Sequence, residues 1–170
     1  MACTKGMMLV AVFIGCFCTA CSSKIESGKS EFGTLTVTPS SGTGADQLFD
    51  ITLSRTAGAP LPALIGLLVN DRMDGGNACY VLQYVSANTT SLVADSGSGA
   101  TPLGKAGSVG NQQCELLEGQ TKSSTPSKVE VEFHLRFRAN FHGSKQLYLL
   151  AEDAKGAGPG LKAAGEWTVP

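Results

Sequence analysis

The chain of 170 residues is poor in the side chains on which most catalytic and nucleic-acid-binding sites depend. Only 16% of its residues are charged and 6% are aromatic, and it has two histidines and one tryptophan. Its 13 Lys and Arg are outnumbered by 14 Asp and Glu, which argues against a protein that binds the phosphate backbone electrostatically. With 21 glycines and so few charges, the composition favours a turn-rich β protein over a helical one.

The sequence also lacks an apolar run long enough to cross a membrane. The longest such run, residues 7–20, has about 14 residues, whereas a membrane-spanning helix needs roughly 20. It follows the basic Lys5 and ends in small residues. A charged start, a short apolar centre and small residues at the end are typical of a cleaved export signal. We therefore predict a signal helix over residues 1–20.

Three of the six cysteines stand together at the end of this leader, in Gly-Cys-Phe-Cys-Thr-Ala-Cys, residues 15–21. Thr19-Ala20-Cys21 resembles the end of a bacterial lipobox, which predicts a lipidated Cys21 as the mature N-terminus and membrane anchor. Lipidation of Cys16, or an unlipidated cut after Ala20, remains open. Ser23 lacks the charge that retains lipoproteins at the inner membrane, which favours the outer membrane. The polar residues 21–32 are expected to form a flexible tether.

Period-two alternation of apolar and polar residues predicts the strands of the remaining chain. The clearest case is residues 128–138, with an apolar face turned to a core and a charged face turned to water. Its apolar face consists of Val129, Val131, Phe133, Leu135 and Phe137. Other strands are predicted at residues 34–38, 49–54, 64–69, 79–85, 91–94, 146–151 and 166–169. About seven to nine short strands between glycine, proline and asparagine turns predict an all-β antiparallel sandwich over residues 33–170. A helical turn is expected only near residues 60–64.

Residues 96–127 have few apolar anchors, and we predict one long loop there. Cys114 lies inside this stretch, and Cys79 is the only other cysteine beyond Cys21. In an exported protein two such thiols are expected to be oxidised, which predicts a Cys79–Cys114 disulfide.

Several short stretches occur along residues 33–170 in a fixed order. They are Val37-Thr-Pro-Ser-Ser-Gly-Thr-Gly44, Asn77-Ala-Cys-Tyr80, Asn111-Gln-Gln-Cys114, Phe141-His-Gly-Ser-Lys-Gln-Leu-Tyr148, Ala151-Glu-Asp-Ala-Lys-Gly156 and Gly165-Glu-Trp-Thr-Val-Pro170. Together they resemble the small Ig-like β-sandwich domain of exported surface proteins of environmental bacteria. The resemblance implies an Ig-like sandwich with the same disulfide, serving as a spacer or adhesive module and carrying no reaction.

No stretch of the sequence has the pattern of a catalytic, metal or cofactor site. His134 and His142 lack a nearby third ligand, so we expect surface histidines. The Asp71–Asn77 stretch has oxygen ligands for calcium, but its paired glycines favour a plain turn. Trp167 is expected in the core. Tyr80 and Tyr84 share one face of their strand, where core packing is the first expectation and a sugar-binding platform the alternative.

The sequence therefore predicts an exported, lipid-anchored Ig-like module with a structural or surface-binding role, without enzyme activity or a cofactor. A protein or glycan of the cell envelope would be its partner, bound through loops such as residues 96–127 or through a free strand edge. Two other functions remain open. One is a carbohydrate-binding module that uses Tyr80 and Tyr84, and the other is an accessory domain of an exported hydrolase.

Overall fold

The computed structural model of the protein describes residues 32–105 and 107–170. The predicted signal helix, Cys16, Cys21 and all of the predicted tether except Phe32 lie outside the described residues, and Phe32 itself is buried in the core. The strands are β1 (Gly33–Thr38), β2 (Ser41–Thr43), β3 (Asp46–Arg55), β4 (Leu64–Asn70), β5 (Cys79–Tyr84), β6 (Thr89–Val93), β7 (Ala100–Pro102), β8 (Val109–Gly110), β9 (Cys114–Ser124), β10 (Lys128–Phe137), β11 (Gly143–Glu152) and β12 (Lys162–Val169).

The strands form two sheets, as the composition and the strand pattern predict for an all-β sandwich. One sheet has five strands in the order β1-β3-β10-β9-β8, and the other has seven in the order β2-β12-β11-β4-β5-β6-β7. All pairs are antiparallel except β2 with β12, which run parallel. The antiparallel prediction is therefore confirmed for every pair but this one.

The core lies between the sheets and is built from the apolar residues that alternate with polar ones along the strands. Val129, Val131, Phe133 and Leu135 of β10 are fully buried. Trp167 of β12 crosses the core to contact Phe49 of β3, with ring centroids 5.3 Å apart, and its indole N–H donates a 2.8 Å hydrogen bond to the Gly44 carbonyl. The prediction of a core tryptophan is confirmed, because this indole has both an apolar surrounding and a partner for its N–H.

The prediction of one long loop over residues 96–127 is wrong. The stretch contains β7, β8 and the eleven-residue β9, which pairs with β10 along its length. Two register shifts break the pairing, and they leave Leu117 and Lys122 without a partner across the ladder. A β-bulge inserts one residue and so reverses which face the following side chains occupy. The period-two signal is therefore absent from the sequence of β9 although the strand is present.

The helical turn expected near residues 60–64 is also absent, because this segment is irregular and leads directly into β4. Among the described residues the helical structure is a single 3-10 turn, Ala139–Phe141, between β10 and β11. The buried Phe141 anchors that turn by stacking on Phe137, with ring centroids 6.0 Å apart. No helix in residues 32–105 or 107–170 has the length and apolar character needed to cross a membrane.

Candidate functional site

A disulfide joins the two sheets at one end of the sandwich. Cys79 begins β5 in the seven-stranded sheet, Cys114 begins β9 in the five-stranded sheet, and their sulfurs are bonded. Both residues are fully buried. The predicted Cys79–Cys114 bridge is confirmed, although it ties two strands together and not a loop to a strand.

Asn111 organises the backbone next to this bridge, a role that the sequence analysis missed. Its side-chain N–H groups donate to the Ala78 carbonyl at 2.9 Å and to the Val93 carbonyl at 3.1 Å. Its side-chain oxygen accepts from the backbone N–H groups of Gln113 and Cys114, each at 2.9 Å. An asparagine whose side chain bonds the backbone two and three residues ahead is common in turns. The role of Asn111 could therefore have been predicted from the Asn111-Gln-Gln-Cys114 stretch.

His134 lies on the outer face of the five-stranded sheet, where it pairs with a carboxylate. Its Nε2 is 2.6 Å from one carboxylate oxygen of Asp46, and Nε of Arg136 donates to the other at 3.0 Å. The hydrogen bond from His134 is the main reason that the pKa of Asp46 lies below its usual value. His142 is exposed next to β11. No group of three or more His, Cys, Asp or Glu that could hold a metal gathers among the described residues.

The charged face of β10 is less open to water than the alternation predicts. Glu132 is only 9% exposed because Lys122 reaches over it from the bulge in β9. The Lys122 ammonium is 2.9 Å from Glu132 and 3.0 Å from Asp50 of β3. Gln120 adds a 3.1 Å hydrogen bond to Glu132. The bond from Lys122 is the largest cause of the lowered pKa of Glu132, and the two carboxylates raise the pKa of Lys122.

The acidic stretch after β4 forms a turn whose polar side chains bond the backbone. The Asp74 carboxylate accepts from the Gly76 N–H at 2.8 Å, and the Asn70 side chain donates to the Asp74 carbonyl at 2.8 Å. Asn77 has a positive φ of 49°, a conformation that asparagine tolerates in turns. These bonds account for the residue types of this stretch, as the turn interpretation expects.

Tyr80 and Tyr84 point away from the core, so the expectation that they pack inside the sandwich is wrong. The core-facing side of β5 is formed by Cys79, Val81 and Gln83. The sequence of β5 does not reveal this orientation, because large side chains occur on both faces of the strand. On the outer face Tyr80 packs with a small cluster of Leu68, Ala78, Tyr148 and Leu161.

The two tyrosines differ in how much of each ring is accessible. Tyr80 is partly buried between Gly66 and Gly75, whose added Cβ atoms would lie 3.3 Å from its ring. Burial raises the pKa of its hydroxyl to about 12, with a smaller contribution from Glu152. Tyr84 is 43% exposed at the end of the strand. The pair therefore offers one accessible ring and one anchored ring.

Three loops converge at the end of the sandwich where Tyr84 lies. They comprise residues 56–63, 85–88 and 153–161, and we call them, together with Tyr84, the loop-end surface. Ala63 holds the first two loops to the end of β11, because its N–H donates to the Glu152 carbonyl at 2.8 Å and its carbonyl accepts from the Val85 N–H at 3.0 Å. Leu61 is 57% exposed there. This surface thus combines a fixed backbone with accessible apolar side chains.

The third loop of this surface is shaped by one carboxylate. Asp153 accepts hydrogen bonds from the backbone N–H groups of Ala157 at 3.0 Å and Lys155 at 2.7 Å. These two bonds, with Ala157 the larger cause, lower the pKa of Asp153. The loop is therefore held in one conformation by its own aspartate.

Comparison with known proteins gives no relative from which a function could be transferred: no family model, no curated protein and no solved structure matches the chain.

Proposed function

We propose that the chain is an exported, lipid-anchored Ig-like module that binds a partner on the cell envelope and catalyses no reaction. The strand order supports the Ig-like assignment. In Ig domains of the variable type one sheet is ordered A-B-E-D and the other extends G-F-C by C′ and C″. Here β1-β3-β10-β9 follows the first order and β12-β11-β4-β5-β6 follows the second. The disulfide departs from the usual pattern, because it links C′ to D and not B to F.

The Cys79–Cys114 bond also supports export, since disulfides persist in oxidising compartments. The lipid anchor is argued from the leader alone, in which Thr19-Ala20-Cys21 provides small residues before the cysteine that would carry the lipid. Anchorage at Cys21 would hold the sandwich at the membrane through residues 22–31, and the outer membrane is the favoured location.

The observation that carries the binding role is the loop-end surface. In variable-type Ig domains the B–C, C′–C″ and F–G loops meet at one end and contact the ligand. Residues 56–63, 85–88 and 153–161 occupy those three connections here, with Leu61 and Tyr84 exposed. Exposed apolar side chains on loops held by a rigid scaffold are typical of a contact surface. A protein of the envelope is the favoured partner.

A carbohydrate ligand is the second candidate, and the orientation of Tyr84 favours it. An aromatic ring exposed at the outer face of a sheet offers an apolar surface with a hydroxyl at its edge, which suits the faces and rims of sugar rings. Tyr80 would contribute as a fixed neighbour, since it is partly buried. A hydrolase accessory role has no comparable support, because His134 is paired with Asp46 and His142 lies in the connection between the 3-10 turn and β11.

The intact mass of the protein extracted from the native envelope tests export and anchoring. We expect a chain that begins at Cys21 and carries three acyl groups, with two additional thiols alkylated only after reduction. A chain that begins at Ser22 or Cys21 without acyl groups would contradict the lipid anchor, and retention of residues 1–20 would contradict export.

Photo-crosslinking in living cells tests the binding surface. A photoreactive residue at position 61 or 84 should give a discrete protein adduct, whereas one at position 48 should give none. Leu48 is a matched control because it is 38% exposed but lies on the opposite sheet. Absence of adducts at 61 and 84, together with polysaccharide binding that Tyr84→Ser removes, would select the carbohydrate function. If neither result is obtained, the loop-end surface is not the binding site.

A further inference from the structure

We propose that the free edge of β1 pairs with β1 of a second copy of the chain, which joins two five-stranded sheets into one continuous sheet. This dimer surface is separate from the loop-end surface and does not rest on it. Among the described residues, β1 is the last strand of its sheet and pairs only with β3. It is also longer than the other three edge strands.

The lengths of the edge strands distinguish β1 from the others. β2 and β7, at the edges of the seven-stranded sheet, have three residues each, and β8, the other edge of the five-stranded sheet, has two. Very short edge strands protect a sheet from pairing with another chain. Proline and charged side chains on an edge strand give the same protection. β1 has six residues, no proline and no charged side chain, so it has none of these three protections.

The register determines which backbone groups of β1 face outward. Thr56 N–H donates to the Phe32 carbonyl, and Arg55 N–H donates to the Ser127 carbonyl on the β10 side. Because hydrogen-bonding direction alternates along a strand, the even-numbered residues of β1 bond β3. The N–H and C=O groups of Gly33, Leu35 and Val37 therefore point to the free edge.

These outward groups are self-complementary. An antiparallel pair of β1 strands centred on Leu35 places Gly33 of each copy opposite Val37 of the other, and Leu35 opposite Leu35. Each such pair exchanges two main-chain hydrogen bonds, for about six in total. The pairing ends naturally at Pro39, which has no N–H to donate. A second copy brings the same long, uncharged edge, and the two-fold symmetry of this register closes the assembly at two chains.

The side chains are compatible with the same register on both faces. Leu35 is partly buried at the margin of the core, so two copies would cover each other's exposed apolar surface across the two-fold axis. On the outer face the exposed Thr34, Thr36 and Thr38 bring hydroxyl groups together and no like charges. The dimer therefore continues the apolar inside and polar outside of the existing sheet.

Charge substitution at Leu35 tests this register. The full chain is produced in its native host, extracted in a mild detergent and measured by sedimentation velocity at several concentrations. We expect the wild-type chain to sediment as a dimer, and Leu35→Lys and Leu35→Glu each to sediment as a monomer, because like charges would face each other at the centre of the pairing. Mixing the two variants should restore the dimer as a heterodimer.

The mixture separates a lost interface from a misfolded chain, since two misfolded variants would not recover a dimer on mixing. Leu48→Lys is the matched control, because Leu48 is exposed on β3 outside residues 50–55, the part of β3 that pairs with β1, and its dimer should be unchanged. A wild-type chain that is monomeric at about 100 µM, where even weak specific contacts of low micromolar affinity are populated, would overturn the proposal. Retention of the dimer in both single variants would overturn it as well.

Discussion

At the scale of single residues, the most informative side chain is a glutamine inside the sandwich. Gln83 is fully buried, and its amide donates to the side-chain oxygens of Asn88 at 3.0 Å and Thr121 at 2.9 Å. Its carbonyl accepts from the Thr90 hydroxyl, and Asn88 also accepts from the Thr121 N–H at 2.7 Å. Because Thr121 lies on β9 and Gln83 on β5, this group connects the two sheets with hydrogen bonds.

Replacement of Gln83 by leucine should therefore destabilise the fold although it adds an apolar residue. Gln83→Leu removes the acceptor of the buried Thr90 hydroxyl, and a buried polar group without a partner costs about 1–3 kcal/mol. We expect the free energy of unfolding in urea to fall by about 1–3 kcal/mol. Gln112→Leu is the control, because the Gln112 side chain is exposed. Equal stability of the two variants would mean that the buried amide contributes nothing to joining the sheets.

At the scale of elements, three strands of the five-stranded sheet are connected by one lysine. Lys122 reaches from the bulge of β9 over Glu132 of β10 to Asp50 of β3. The bulge is what makes this possible, since it moves Lys122 out of the regular ladder. The bulge that interrupts the period-two pattern of β9 therefore also creates this charge contact.

Acidification should weaken this connection. Lys122 and Gln120 lower the pKa of Glu132 in the folded chain, so the unfolded chain takes up a proton first as the pH falls. The resulting stabilisation is present above the ordinary pKa of 4.5 and is lost as the pH falls through the lower folded value. Urea unfolding at pH 7 and pH 3 should show a smaller acid-induced loss for Glu132→Gln than for the wild type.

Glu130→Gln provides the control for this measurement. Glu130 lies on the same strand and pairs with Lys128 at 2.9 Å, but its side chain is 34% exposed, against 11% for that of Glu132. Surface pairs of this kind contribute little, so its acid-induced loss should equal that of the wild type. An unchanged pH dependence in Glu132→Gln would contradict the role assigned to Lys122.

At the scale of the whole molecule, the sheets are held together by the apolar core, by the Gln83 group and by one covalent bond. Cys79 and Cys114 are 35 positions apart in sequence, and each begins a strand of a different sheet. A crosslink of this span restricts the unfolded chain. The chain-entropy model assigns it about 4 kcal/mol of stabilisation.

Removal of this bond should lower the stability of the entire sandwich. We expect the Cys79→Ala, Cys114→Ala double variant to lose about 4 kcal/mol in urea unfolding, and the wild type to approach the same midpoint in reductant. The single tryptophan, buried in the core, reports the transition by fluorescence. Complete reduction of the bond, shown by subsequent alkylation of both thiols, without a shift of the wild-type midpoint would contradict this expectation.

The sequence predicted those strands whose own residues alternate between apolar and polar along their whole length. β10 is such a strand, because an unbroken apolar face meets the core and a charged face lies outside. β9 could not be found in this way, since its two bulges reverse the pattern and only Cys114 and Leu116 of the strand are fully buried. For β5 the strand was found but its orientation was not, because Tyr80 and Tyr84 are as apolar as the residues on the opposite face.

The candidate site, too, could be predicted from the sequence only in part. The Cys79–Cys114 bond could be predicted because few cysteines remain after the leader, a property of composition and compartment. The loop-end surface could not, because its three loops are distant in sequence and meet only once β4, β5 and β11 pair. For the same reason the prediction of one long loop at residues 96–127 was wrong, since β7, β8 and β9 occupy half of that stretch.

By itself, the sequence determined the all-β class, most strand positions, the core face of β10 and the disulfide, because alternation and composition are local properties of the chain. Tertiary structure alone decided the position of β9, the outward direction of the tyrosines, the buried Gln83 group, the burial of Glu132 beneath Lys122 and the exposed edge of β1. Each of these depends on which strands become neighbours, and hydrogen bonding between strands remote in sequence is what makes that choice.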